Sequence, residues 1–309
     1  MISLKQLNYA LEIEKTLNFK RAADRCFISA STLSNSILQI ERSLGAKIFE
    51  RDTKKVLVTP FGRLFLEKAK RVQSEMREIS RLGDVFSGPL TQQLEIGVIP
   101  TIAPFLLPLV LPGLQKRYPD LTLKIKESTS QSLVNNIKSG ELDAGILALP
   151  FPQQGLLSFK FWSEDFFLIS HRDRVSGEPG PIGAKDIDPE ELMLLDEGHC
   201  LTDQALEICG LTSESTLNTG ASSLTTLVGL VGCKLGQTLV PEMALAPLVN
   251  ANAELSSFRL KDPGPHREIA FLVRPNYANT ASIELLRDFF FDCLNSSRRK
   301  SGSLKELPL

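Results

Sequence analysis

The sequence predicts an α/β protein in two parts: a small helical N-terminal piece with a winged helix-turn-helix and a long linker helix, then a larger two-lobed α/β domain. Three observations predict it. The chain has 309 residues, enough for two or three domains at about 150 residues each. Its net charge of -1 conceals an asymmetry, because residues 1–90 hold 16 Lys/Arg against 10 Asp/Glu while residues 91–309 hold 19 against 26. Hydrophobic periodicity changes from helical to alternating strand and helix near residue 91. A hydrophobic share of 42% and a mean hydropathy of -0.01 exclude collagen-like, disordered and membrane-embedded classes. No segment approaches the roughly 18 to 20 apolar residues that cross a bilayer, and the start lacks an apolar signal region. A cytoplasmic protein without a membrane partner is expected.

The N-terminal elements follow from caps and spacing. Ser3 caps a helix with Leu4, Leu7 and Leu11 on one side; Asn18 opens a second with Phe19, Ala22 and Ala23. A third helix starts around Ser31 or Thr32, buries Leu33, Ile37 and Ile40, and ends at Gly45. The four-residue turn F-I-S-A between the second and third helices has the length of a helix-turn-helix, which presents its second helix to a DNA major groove. Ser31, Thr32, Ser34, Asn35 and Gln39 then remain as polar groups for contact, and Asn35 and Gln39 suit adenine edges. Beyond Gly45 an alternating segment around a charged turn predicts a wing. Arg51, Lys54 and Lys55 at its tip either touch phosphates or form a solvated turn. In the linker 61–90, Phe65, Ala69, Val72, Met76 and Ile79 step by 4, 3, 4 and 3. Such a seam packs on its own domain or on a second chain.

A polar, turn-rich stretch at 83–93 separates the parts. Strand 94–99, helix 104–118, strand 121–126, helix 131–139 and strand 142–149 predict a parallel sheet covered by helices in a first lobe, 91–164. The pattern recurs between 191 and 245 within a second lobe, 165–265. Strand 269–273 and helix 281–293 form a last segment, 266–300, before a tail at 301–309. Sheets of this kind bind ligands at the carboxyl ends of their strands, which points to Thr101, to 128–130 and to the segment after Leu195.

Five cysteines, an odd number, do not describe a disulfide scaffold. Cys26, Cys233 and Cys293 are expected as small buried hydrophobes. Cys200 differs: it follows His199 where a strand gives way to a helix beginning near Thr202, and a helix N-terminus favours thiolate while Asp203 opposes it. Cys209 ends the same helix, with Gly210 behind it. Nine residues of intact helix span about 13 Å, whereas a disulfide needs Cα atoms within about 7 Å. The two are therefore either a switch that unwinds the helix or unrelated thiols. The histidines form no metal cluster and no nucleotide or hydrolase motif appears, so no metal or cofactor is expected.

A-A-D-R-C-F-I-S-A-S-T-L-S-N-S-I-L-Q-I-E-R-S-L-G-A-K-I-F-E-R from Ala22, followed by V-T-P-F-G from Val58, resembles the winged helix-turn-helix of LysR-type transcriptional regulators. It departs from them at Ala30, where the family usually has glutamine. G-H-C-L-T-D-Q-A-L-E-I-C from Gly198 is similar to the peroxide-sensing branch of that family. The resemblance implies a two-lobed, periplasmic-binding-protein-like effector domain with the 266–300 segment returned to the first lobe. It implies Cys200 as the peroxide-reactive thiol, Cys209 as the thiol that resolves it in an intramolecular disulfide, and a pocket of Thr101, Ser130, His199, Asp203 and Arg274. Serine stands at 130 where the branch has threonine. Implied partners are promoter DNA, hydrogen peroxide as signal, a thiol reductant of glutaredoxin or thioredoxin type, RNA polymerase, and further copies of the chain in a homodimer or homotetramer. The competing functions are a LysR-type regulator holding a small organic effector between its lobes and a thiol-dependent peroxidase; a regulator, not an enzyme, is expected.

Overall fold

A computed structural model describes residues 2–300 apart from 52–54, 81–82, 84–87, 92, 154, 175–179, 197 and 213–219. The wing-tip residue Lys54 and the tail 301–309 lie outside the described residues, as does the side chain of Arg51. The chain divides into two compact units.

In the first unit, α1 (Leu4–Thr16) begins at a reciprocal cap in which Ser3 accepts from the Gln6 amide and the Gln6 side chain accepts from the Ser3 amide, which satisfies two otherwise orphaned donors. Helix α2 (Phe19–Arg25) is capped by Asn18. Helix α3 (Ala30–Leu44) starts one to two residues earlier than its apolar spacing suggests, because the Ser29 side chain takes the cap by accepting from Thr32 N–H. It stops at Gly45, whose φ of 68° suits glycine. Leu33, Ile37 and Ile40 enter a core shared with Leu11, Ile13, Ala22 and Phe49.

Strands β1 (Phe49–Arg51) and β2 (Val56–Val58) form the antiparallel wing. The carboxylate of Glu41, buried in α3, accepts from the amides of Ile48 and Phe49 at 2.8 and 3.1 Å, so one side chain ties the third helix to the wing. Helix α4 (Pro60–Ser80) leaves the wing with Gly62 against the Ile48 carbonyl, where a Cβ would sit 2.1 Å from the oxygen. The predicted seam divides along this helix. Phe65 and Ala69 pack into the unit's own core, whereas Val72, Met76 and Ile79 are 40%, 39% and 58% exposed.

The second unit contains two lobes. In the first, β3 (Gln93–Val98), β4 (Thr122–Glu127), β5 (Ala144–Leu149), β6 (Leu157–Glu164) and β10 (Arg267–Val273) form a sheet in the order β4-β3-β5-β10-β6, joined by α5 (Ala103–Arg117) and α6 (Ser130–Ser139). The final helix α9 (Thr280–Lys300) packs on it, and Phe161, Phe271 and Phe290 meet at ring separations of 5.1 to 5.7 Å. Strand β3 runs parallel to β4 and β5, but β10 is antiparallel to both its neighbours. The all-parallel expectation fails here because the last strand enters from the second lobe and runs the opposite way.

The second lobe holds β7 (Phe166–His171), β8 (Thr238–Pro241) and β9 (Leu255–Arg259), in the order β8-β7-β9, with α7 (Cys200–Cys209) and α8 (Leu224–Gly232). These three strands pair antiparallel. Among the described residues parallel pairing occurs there as isolated bridges such as Leu192 with Gln237 and Leu195 with Ala221. Each lobe has its own apolar core.

Candidate redox site and nucleic-acid interface

Three element ends meet at one end of the first lobe's sheet. Thr101 follows β3, Ser130 opens α6 just after β4, and Arg267 begins β10; all three are buried. Cys200 is brought to them by α7, which starts at the cysteine itself rather than near Thr202. The helix therefore bridges the lobes: Cys200 belongs to the first lobe's core, while Leu201, Ala205 and Cys209 belong to the second's.

The Cys200 thiol is 2% exposed. Burial pushes its pKa up, and against this act the Ser130 hydroxyl, the Arg267 charge and a backbone hydrogen bond at Ala148; the Asp203 charge adds to the rise. The activating environment read from the helix N-terminus is thus outweighed by desolvation, since an ion in an apolar setting loses more hydration than a helix end returns. Apart from the thiol, the buried Ser130 hydroxyl has no hydrogen-bond partner among the described residues. His199 caps α7 without a side-chain bond, and its pKa is lowered, chiefly by burial, with Asp196 opposing. Gln204, one turn beyond Cys200, is buried; its amide nitrogen donates to the Pro150 carbonyl at 3.4 Å and its amide oxygen has no partner among the described residues.

Arg274 is corrected. Its guanidinium donates to the carbonyls of Ile137 and Leu142 at 3.0 and 2.6 Å, at the far end of β10. Seven residues at about 3.3 Å each put it some 23 Å along the strand from Arg267. The cation beside the thiol is Arg267, which the sequence reading missed. Its Nε donates to Glu164 Oε1 at 2.8 Å, and its terminal nitrogens reach Thr101 Oγ1 and the Thr101 carbonyl at 3.4 and 3.3 Å. The available signal was an arginine two residues ahead of the apolar run I-A-F-L-V, after a proline-rich break.

Asp203 is exposed on the first turn of α7, and its charge raises the pKa of the thiol. The remaining cysteines are not buried as expected, because Cys233 is exposed at the end of α8 and Cys26 and Cys293 are half-buried. Cys209 is buried, and desolvation together with Asp262 pushes its pKa up to about 11. No group of residues suited to a metal ion occurs among the described residues.

On the helix-turn-helix, Ser31, Thr32, Asn35 and Gln39 are exposed and Ser34 is half-buried. Ser31 and Thr32 share hydrogen bonds with Ser29, and Gln39 accepts from Gln6, while Asn35 is exposed at mid-helix. Lys55 is exposed beside the wing.

A winged helix-turn-helix followed by a two-lobed α/β domain, with a polar site buried at its strand ends, defines a signal-responsive DNA-binding regulator. The chain belongs to the LysR family. Residues 4–63 match the bacterial regulatory helix-turn-helix protein of the lysR family and residues 87–293 match the LysR substrate binding domain. It is 37% identical to a probable hydrogen peroxide-inducible genes activator of Streptomyces viridosporus, over 92% of each chain. It is 36% identical to the HTH-type transcriptional regulator EstR of Acinetobacter baylyi, over 93% of this chain and 95% of that one. Among solved structures, a full-length OxyR from Pseudomonas aeruginosa with a cysteine-to-aspartate substitution superposes with a TM-score of 0.75 at 31% identity, covering 94% of this chain and 98% of that one. No described helix is long and apolar enough to cross a membrane.

Proposed function

We propose that this LysR-family protein is a peroxide-sensing transcriptional regulator, switched by a disulfide between Cys200 and Cys209, and not an enzyme. The observation that carries the reading is a thiol buried beside the Ser130 hydroxyl and the Arg267 charge, with Arg267 also bonded to Thr101, a set of polar groups suited to a small neutral oxidant. The names of the Streptomyces and Pseudomonas relatives support it. The Cys200 thiolate attacks one peroxide oxygen, the O–O bond breaks, and hydroxide leaves, taking a proton to become water. The resulting sulfenic acid is attacked by Cys209, releasing a second water and forming the disulfide. Arg267 stabilises both the thiolate and the departing hydroxide, the role the resemblance had given to Arg274. A dithiol reductant of glutaredoxin or thioredoxin type returns the two thiols, and RNA polymerase reads the altered promoter complex. The exposed Val72, Met76 and Ile79 of α4 pair with a second copy, which sets two recognition helices on paired half-sites.

Peptide mass spectrometry before and after stoichiometric peroxide tests the redox step. The expected result is a Cys200–Cys209 linkage with loss of two hydrogens, absent in C200S. Unmodified thiols in the wild type sink the reading in favour of a small organic effector, an option the EstR relative keeps in view.

DNA binding gives a separate expectation. Lys55→Ala lowers affinity for all sequences alike and reduces the salt slope by about one, whereas Asn35→Ala relaxes base preference at one position by about 1–3 kcal/mol. Titration of both variants on specific and scrambled duplexes over several salt concentrations checks it; indistinguishable behaviour on every duplex contradicts this docking.

A further inference from the structure

Glu164 closes β6 at the crossing between the lobes, and its side chain, like that of Arg267, is 0% exposed. The two residues are cross-strand partners in the β10–β6 register. One oxygen, Oε1, takes both Arg267 Nε at 2.8 Å and Nη2 at 2.7 Å. The other, Oε2, accepts the Met243 amide of the second lobe at 2.8 Å. The adjoining residue of that lobe is stitched down as well: Glu242 N–H donates to the Asp165 carbonyl, and the Glu242 carboxylate is held by Arg298 at 3.0 Å to each oxygen. The charges acting on the thiol are Arg267 and, from α7, Asp203; at the crossing Glu164, Asp165 and Arg298 act on Glu242, and His266 lies 3.5 Å from Asp165.

A carboxylate with its oxygens divided in this way does two things. It fixes the rotation of the guanidinium, so that Nη1 is turned to the Thr101 hydroxyl and Nη2, shared with Glu164, to the Thr101 carbonyl, and it makes that rotation depend on where the second lobe sits. We propose, on the basis of the peroxide reading above, that Glu164 is a positioning residue for Cys200 oxidation, holding Arg267 at the thiol with one oxygen and the second lobe with the other. It touches neither thiol nor oxidant. Its negative charge also offsets part of the arginine's field at the sulfur, so it restrains thiolate formation while improving the geometry of the reaction. Those two effects have opposite signs and can be read separately.

The test uses the full-length reduced protein. Iodoacetamide alkylation of Cys200 from neutral to alkaline pH reports ionisation, and hydrogen peroxide consumption at each pH then gives the oxidation rate per thiolate. In E164Q the amide oxygen still accepts from Arg267, but the amide nitrogen faces the Met243 N–H, donor against donor. The alkylation profile is expected to move to lower pH, while the rate per thiolate falls by on the order of tenfold from misplacement. In E164D the charge stays but the carboxylate is drawn back by one methylene; its profile stays put and its rate falls. An unmoved E164Q profile, or a wild-type rate per thiolate in E164D, overturns the proposal. So does a loss of rate that only tracks the folded fraction measured by near-ultraviolet circular dichroism. Should wild-type Cys200 react with peroxide no faster than exposed Cys233, the peroxide reading fails by itself. The alkylation profile then still decides whether Glu164 governs the arginine's field at the thiol.

Discussion

Arg267→Met is expected to lower stability by about 3–5 kcal/mol and to slow Cys200 oxidation by roughly 100-fold, whereas Arg274→Met leaves the oxidation rate within about twofold of wild type. The asymmetry follows from what each guanidinium touches. Removing Arg267 strands the fully buried Glu164 carboxylate, and an unpaired buried charge costs far more than a missing contact. It also removes the cation that favours thiolate against the burial of Cys200. Arg274 is likewise buried, and its loss leaves the Ile137 and Leu142 carbonyls short of a donor, at about 1–3 kcal/mol. That damage lies at the other end of β10. Urea unfolding midpoints and peroxide kinetics on both variants separate the two effects. Equal slowing in both would mean that the cation at the thiol is not what accelerates the reaction.

The exchange of Arg274 for Arg267 shows which information a sequence carries locally and which it does not. The DNA-binding unit was legible almost residue by residue, because caps at Ser3, Asn18 and Gly45 and the spacing of Leu33, Ile37 and Ile40 are short-range signals. The strands of the first lobe were legible for the same reason, as apolar runs of the right length. Strand direction was not, since it depends on which lobe the chain enters from, and the antiparallel β10 reversed the expected order. Arg267 reaches the site through its partnership with Glu164, 103 residues away. Periodicity within β10 marks it only as the polar start of an apolar strand. Cys200 itself was placed correctly at a helix start, yet its environment was misjudged, because burial by Thr101, Ser130 and the first lobe's core comes from segments distant in sequence. The exposure of Cys233 fails in the opposite sense: an apolar neighbourhood in sequence, L-V-G-C-K-L, lies at the end of α8 where the chain turns outward.

Oxidation is expected to dissolve α7. The two thiols occupy its first and last positions and belong to different apolar cores, about 13 Å apart along intact helix at ~1.5 Å per residue, well beyond the roughly 7 Å that a disulfide tolerates. In the reduced fold Cys209 is also a poor nucleophile. With its pKa raised to about 11, roughly one molecule in ten thousand carries the thiolate at neutral pH. Both barriers fall together if α7 opens first, which frees Cys209 from the desolvation that raises its pKa and lets the ends approach. The sign of the pH effect follows. A thiol whose pKa is raised in the folded state stabilises that state below its ordinary value of 9.0, and loses the contribution as pH climbs through about 11. Reduced protein therefore keeps α7 closed at neutral pH and loosens it under alkaline conditions. Hydrogen exchange before and after peroxide is expected to show protection lost across 200–209 on oxidation, together with a fall in helical ellipticity. In C209S the same treatment traps a sulfenic acid at Cys200, detectable with dimedone, while protection is retained. Lost protection in oxidised C209S would place the switch in the sulfenic acid rather than in the disulfide. Full protection in the oxidised wild type would show that these two thiols do not bond to each other within one chain.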